Sequence, residues 1–159
     1  MYRYFACFLL LFTSLCSAQN FGFEQEDFLP VEQAYQVAVS EEAGKLAVTF
    51  EAAQSYYLYR HAFKLQYATN KQLETAELEL PEGIKRHDEF FGESEVYYQQ
   101  VNASASLPNT QDDFDVKITL QGCADAGLCY PPYSVFYRFD AQNEKFSRIE
   151  ANDFNQQTL

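Results

Sequence analysis

Apolar residues recur at every second position over much of the chain, and this period does most to limit the folds open to it. Phe114, Val116, Ile118 and Leu120 alternate with Asp115, Lys117 and Thr119, and Leu46, Val48 and Phe50 fall on one face of a second run. Tyr57, Tyr59, Phe63, Leu65 and Tyr67 continue the pattern with Arg60, Lys64 and Gln66 opposite, and Tyr133, Val135, Tyr137 and Phe139 repeat it. Successive side chains of a strand point to opposite faces, so this period gives one apolar and one polar face, as in an antiparallel sheet covered on one side. Residues 35–39, 73–80 and 96–101 are shorter strand candidates. Sustained helical spacing is absent; the segment from Glu32 begins at most one turn before Val37 and Val39 favour extension. Six or seven short strands predict an all-β fold, an immunoglobulin-like antiparallel β-sandwich in one domain, with a polar, frayed tail over residues 152–159.

The first residues follow a different rule. Arg3 precedes the uncharged run from Phe5 to Phe12, and the small residues Ser17 and Ala18 follow. A basic start, a short apolar stretch and a small-residue cleavage site make a secretory signal peptide, assigned to residues 1–18 with the domain over 19–159. The run is too short for a bilayer core of about 30 Å, which takes about 20 apolar residues. A lipoprotein signal ending at Cys16 is the alternative, disfavoured by the bulk of Leu15. Export places the domain in an oxidising compartment, where disulfides form and persist.

Charge then removes whole classes of partner. With 11 Lys+Arg against 23 Asp+Glu and a net charge of -12, the chain lacks the basic face that a phosphate backbone needs. Nucleic acid is excluded as a partner, as is docking on an anionic membrane surface. No later segment has the length of a membrane span. The 12 Tyr and 15 Phe supply a core and exclude a disordered chain.

Of four cysteines, Cys7 and Cys16 belong to the signal, leaving Cys123 and Cys129. They sit in Gln121-Gly-Cys-Ala-Asp-Ala-Gly-Leu-Cys-Tyr-Pro-Pro-Tyr133, between the two strongest strand signals, where a hairpin can bring two Cα atoms within the roughly 4.4–6.8 Å that a disulfide needs. Read as a staple, so small a ring contributes only about 2.4 kcal/mol on the loop-entropy account. Read as a redox pair, it exchanges with the dithiol of another protein. Two thiolates with no neighbouring His leave zinc short of ligands. Chemistry alone leaves staple and redox pair both open.

The segment Gly122-Cys-Ala-Asp-Ala-Gly-Leu-Cys-Tyr-Pro-Pro132 resembles the cysteine motif of the N-terminal periplasmic domain of DsbD, the bacterial thiol:disulfide interchange protein. Phe28-Leu-Pro-Val-Glu-Gln-Ala-Tyr35, Tyr56-Tyr-Leu-Tyr-Arg60 and His87-Asp-Glu-Phe-Phe-Gly92 resemble, in the same order, that domain's opening segment, aromatic strand and cap loop. The resemblance implies a periplasmic immunoglobulin-like domain that takes electrons from a thioredoxin-like donor domain. It passes them to oxidised thioredoxin-fold clients: disulfide isomerases and the thioredoxin-like protein of cytochrome c maturation. No cofactor is implied. By matched position Cys129 forms the mixed disulfide and Cys123 resolves it, Phe90 covers the pair, Asp88 and Glu89 lie near the thiols, and Tyr57 and Tyr59 pack around them.

The chemistry of those residue types agrees. Exchange is carried by thiolate, and both an aromatic lid and adjacent carboxylates raise a thiol pKa, which slows reaction with small oxidants. Each residue also has a plainer reading: Tyr57 and Tyr59 as core, Asp88 and Glu89 as loop acids, and His87 as a solvated side chain. The family continues into a membrane domain and a thioredoxin-like domain whereas this sequence stops at Leu159, so a fragment and a free-standing relay are both expected forms. A non-catalytic binding module and a sandwich whose disulfide is a clip are the competing functions.

Overall fold

The computed structural model describes residues 27–70, 72–108 and 111–156. The signal peptide expected over residues 1–18 and its alternative at Cys16 lie outside them. One helical turn, Val31–Ala34, leads into β1 (Tyr35–Glu42), which is followed by β2 (Lys45–Ala52) and β3 (Tyr56–Tyr59). After a 3-10 turn at Arg60–Ala62 come β4 (Lys64–Thr69), β5 (Gln72–Ala76), β6 (Ile84–Asp88), β7 (Gly92–Tyr98) and β8 (Gln100–Ser106). The last strands are β9 (Phe114–Leu120), β10 (Gly122–Ala124), β11 (Tyr133–Asp140) and β12 (Lys145–Ile149).

These strands form three antiparallel sheets with the orders β1-β2-β8, β10-β3-β7-β6 and β12-β11-β9-β4-β5. The apolar faces of the first and third contribute Leu46, Val48, Phe50, Val101, Val116, Ile118, Leu120 and Val135 to one buried core. Each large side chain so buried stabilises by about 1.5–3 kcal/mol. Two tyrosines of the third sheet also reach the first: Tyr137 donates to the Val37 carbonyl at 2.5 Å, and Tyr67 to that of Ser106 at 2.9 Å.

The structure has more strands than the six or seven expected, for physical reasons. The alternation from Tyr57 to Tyr67 is not one strand: the turn at Arg60–Ala62 carries the chain from the second sheet to the third. The stretch 96–101 is likewise two strands, divided at Gln99, whose φ of 58° turns the chain. The short edge strands β6 and β12 are mostly exposed and carry little apolar signal, and β10 has only three residues, whereas β5 occupies the start of the expected stretch 73–80.

The expected fraying of the tail is also corrected over its described residues, 152–156. Asp115 is buried (0% exposed), and its carboxylate accepts from Arg138 Nε at 2.7 Å and from the Asn155 backbone N–H at 2.8 Å. The Arg138 guanidinium donates onward to the Asp153 carbonyl at 2.9 Å, and the Phe154 ring lies 5.2 Å from that of Phe136. A buried carboxylate needs these donors, and the tail supplies one of them.

Candidate functional site

Strand β3 is buried on both faces, and its alternation divides two environments. Tyr56 and Leu58 enter the main core, whereas Tyr57 and Tyr59 join Val96 and Cys123 in a second cluster against which Cys129 and Tyr98 pack. The segment between β9 and β11 leaves the third sheet to reach β3: β10 pairs with it so that Cys123 lies opposite Tyr57. Gly122 makes this approach possible. A Cβ there would stand 2.1 Å from the Tyr57 carbonyl oxygen and 2.7 Å from the Tyr35 hydroxyl.

Beyond β10 the chain turns through Ala124–Leu128, with Gly127 at a φ of 96° and the Ala124 N–H donating to the Leu128 carbonyl at 2.7 Å. The return places Cys129 directly across from Cys123, Cα to Cα 4.0 Å, and the two sulfurs are bonded. This spacing falls just under the window given above, and the two residues form a directly opposed cross-strand pair. The two sulfurs are not equivalent in access. Cys123 is 0% exposed, and Cys129 is only partly buried.

Tyr59 reaches the inner sulfur, its hydroxyl 3.1 Å from Cys123 Sγ and 3.5 Å from the Tyr57 hydroxyl. Burial, then the hydrogen bond to Tyr57 and the neighbouring Asp88, push the Tyr59 phenol far above its ordinary range, so it remains protonated. The cap residues form the tight connection from β6 to β7. Asp88 Oδ1 accepts from the backbone N–H groups of Phe90 and Phe91 at 2.9 and 2.7 Å, and its Oδ2 is buried. Burial acts to raise the Asp88 carboxyl, but the Tyr59 hydroxyl, these two N–H groups and the Arg86 charge outweigh it and hold the carboxyl below its usual range.

Phe90 is 59% exposed, and with Asp88, Glu89, Tyr57 and Arg86 it lines a cleft of about 380 Å³ whose other wall is Ala124–Gly127 of the cysteine loop. Phe91, which sequence reasoning did not single out, lies with its ring 4.8 Å from Tyr59 and 4.9 Å from His61. His87 is exposed and faces Glu93 at 3.0 Å. Asp88, Glu89, Phe90 and Tyr57 thus share one cleft, and Tyr57 and Tyr59 share a cluster with Cys123.

Arg86 and Asp125 were also missed. Arg86 Nη1 lies 2.9 Å from Asp125 Oδ1 and donates to the Tyr98 hydroxyl, which itself donates to Asp125 at 2.8 Å. The guanidinium stands 4.3 Å over the Tyr57 ring. Asp125 lies between the cysteines and was recoverable from position alone, whereas Arg86 shares a face with Asp88 only because residues 84–88 form a strand, which no apolar period marks.

Fold and site together define a β-sandwich that carries a cross-strand cysteine pair in an aromatic cluster, with one cysteine fully buried and the other partly buried. Residues 25–141 match the family described as the N-terminal part of the thiol:disulfide interchange protein DsbD, and the chain belongs to that family. It is similar to DsbD of Pseudoalteromonas atlantica, with 40% identity over 147 residues (87% of this chain, 24% of that one). DsbD of Colwellia psychrerythraea is 40% identical over 109 residues (69% of this chain, 17% of that one), so the chain spans about a fifth of such relatives' length. In fold it is similar to the reduced N-terminal domain of Neisseria meningitidis DsbD, at a TM-score of 0.67 and 24% identity over 77% of this chain and 95% of that one. It is also similar to the structure of the complex between the DsbD and PilB N-terminal domains of that organism, at a TM-score of 0.60 and 26% identity (71% of this chain, 88% of that one). The fold is an immunoglobulin-like antiparallel β-sandwich, as the alternation predicts.

Proposed function

We propose that this domain is a periplasmic thiol–disulfide exchange relay, exported by the signal peptide at residues 1–18, that works through a reversible Cys123–Cys129 disulfide. A thioredoxin-like donor dithiol reduces the pair. The Cys129 thiolate then attacks a disulfide of an oxidised thioredoxin-fold client, releasing one client thiolate and forming a mixed disulfide. The Cys123 thiolate attacks Cys129 Sγ and releases the second, so the client gains two electrons and the pair returns to its disulfide. Disulfide isomerases and the thioredoxin-like protein of cytochrome c maturation are the proposed clients.

One observation carries this assignment: Cys123 is fully buried, its sulfur touched by the Tyr59 hydroxyl, while Cys129 is only partly buried. An attacking thiol needs access, and a resolving thiol needs only to reach its neighbour. The neighbouring N-terminal domain of Neisseria meningitidis DsbD was solved in complex with the PilB N-terminal domain, which supports a protein as the exchange partner. Phe90 and the turn it stands on limit approach to the pair, Asp88 and Glu89 disfavour a second negative charge beside the thiolate, and Tyr57 and Tyr59 form the walls.

Trapping tests the reading. With Cys123→Ala, Cys129 has no resolving partner, and mixed disulfides with periplasmic thioredoxin-fold proteins should accumulate through Cys129. Absence of any adduct, with the pair intact in the wild type, would favour a binding module whose disulfide is a clip.

A further inference from the structure

Strand β6 forms one edge of its sheet and leads directly into the turn that bears Phe90. Backbone pairing holds it on one side only, to β7. The cysteine loop is anchored elsewhere: β10 pairs with β3, and the Asp125 N–H donates to the Ser55 carbonyl at 2.8 Å. Among the described residues the one ion pair joining these two units is Arg86–Asp125, at 2.9 Å. The same guanidinium lies 4.3 Å over Tyr57, the cross-strand neighbour of Cys123, and Tyr98 from β7 closes the arrangement by donating to Asp125 at 2.8 Å.

Resting on the redox reading above, we propose that Arg86 is a positioning residue that latches the cap strand to the cysteine loop and so sets how often the sulfurs become accessible. The latch has two parts of different kinds. The ion pair is partly solvated, its side chains 31% and 40% exposed, so salt weakens it. The stacking of the planar guanidinium on Tyr57 depends on shape, and a lysine reproduces it poorly. A partner that offers Arg86 another carboxylate or carbonyl would compete with Asp125 and release the strand at the moment of docking.

The test uses the whole chain, chemically reduced and reacted with iodoacetamide, so it reads access to the thiols whether or not any protein partner exchanges with them. Wild-type alkylation should accelerate between 0.05 and 1 M NaCl. Arg86→Met should react roughly three- to tenfold faster at low salt and show no further acceleration with salt. Arg86→Lys should recover the salt dependence with a rate between the two. Asp125→Asn removes the other half of the pair and should give the same loss of salt dependence should Arg86→Met not fold. A rate and salt dependence equal to wild type in a folded Arg86→Met or Asp125→Asn protein would overturn the latch. Failure of the wild-type disulfide to exchange with any thioredoxin-type dithiol would instead overturn the relay and leave these alkylation rates standing.

Discussion

The Tyr59 hydroxyl lies 3.1 Å from the sulfur of Cys123, and it is a phenol that burial keeps protonated. On reduction it can donate to a thiolate, and a donor to the charged form lowers the pKa of that group. Tyr59→Phe should therefore raise the Cys123 thiol pKa, read from ultraviolet thiolate absorbance in a Cys129→Ala background. Loss of the buried hydrogen bond should also cost about 0.5–1.5 kcal/mol in denaturant unfolding. An unchanged or lower thiol pKa would remove Tyr59 from the chemistry and leave it a core residue.

Phe90 and Phe91 are adjacent but differ in setting. Phe90 is 59% exposed beside the cleft, whereas Phe91, at 45%, also packs its ring on Tyr59 and His61. Phe90→Ala should speed alkylation of the reduced pair while changing stability by no more than about 0.5 kcal/mol, as for other surface positions. Phe91→Ala should speed alkylation and also lower the melting temperature, because it removes aromatic contacts worth about 0.5–1.5 kcal/mol. Equal alkylation rates in Phe90→Ala and wild type would show that Phe90 does not shield the sulfurs.

The Asp88 carboxylate accepts from two backbone N–H groups of the cap turn, and its pKa is lowered on folding. A lowered carboxyl pKa means that its support for the turn is complete above the ordinary aspartate value of about 3.9 and disappears as pH falls through the lower folded value. Hydrogen-exchange protection of the Phe90 and Phe91 amides should fall as the pH drops below about 4. In Asp88→Asn the protection should be weaker at neutral pH and nearly flat across the same range. Protection that is independent of pH in the wild type would contradict the Asp88 account.

Gly122 has no room for a side chain, since an added Cβ meets backbone oxygen at 2.1 Å. Gly122→Ala should push β10 away from β3 and cost at least the roughly 1–3 kcal/mol typical of overpacking, because the clashing atom belongs to the main chain. Thermal unfolding checks the loss of stability. Reaction of Cys123 with iodoacetamide in a reduced Cys129→Ala background checks the displacement, since an inner sulfur lifted from its cluster becomes reachable.

What the sequence made legible follows from how long and how two-faced each element is. β9 and β11 alternate over their whole length and are legible directly, and the turn before β1 is consistent with at most one helical turn there. β5 overlaps the stretch 73–80 expected to be a strand, whereas β6 and β12 are short edges exposed along most of their length, so no apolar period marks them. The break at Arg60–Ala62 carries neither Gly nor Pro, and Gln99 adopts a conformation more typical of glycine, so neither interruption shows in the residue types. The polar composition of the tail predicts fraying, yet backbone groups of Asp153 and Asn155 complete the pair of Arg138 with the buried Asp115, and composition does not encode main-chain partners. At the site, the cysteine motif and the cap segment were visible as motifs. The Arg86–Asp125 contact joins residues 39 apart, and it becomes visible only when β6 and the cysteine loop are placed side by side.

A redox titration of the whole chain tests the central claim most directly. If Cys123 and Cys129 are a relay pair, their disulfide equilibrates with glutathione or a thioredoxin-type dithiol, giving a potential above about −300 mV. A disulfide that resists both couples, with a potential below that value, would contradict the relay and make the pair a structural clip.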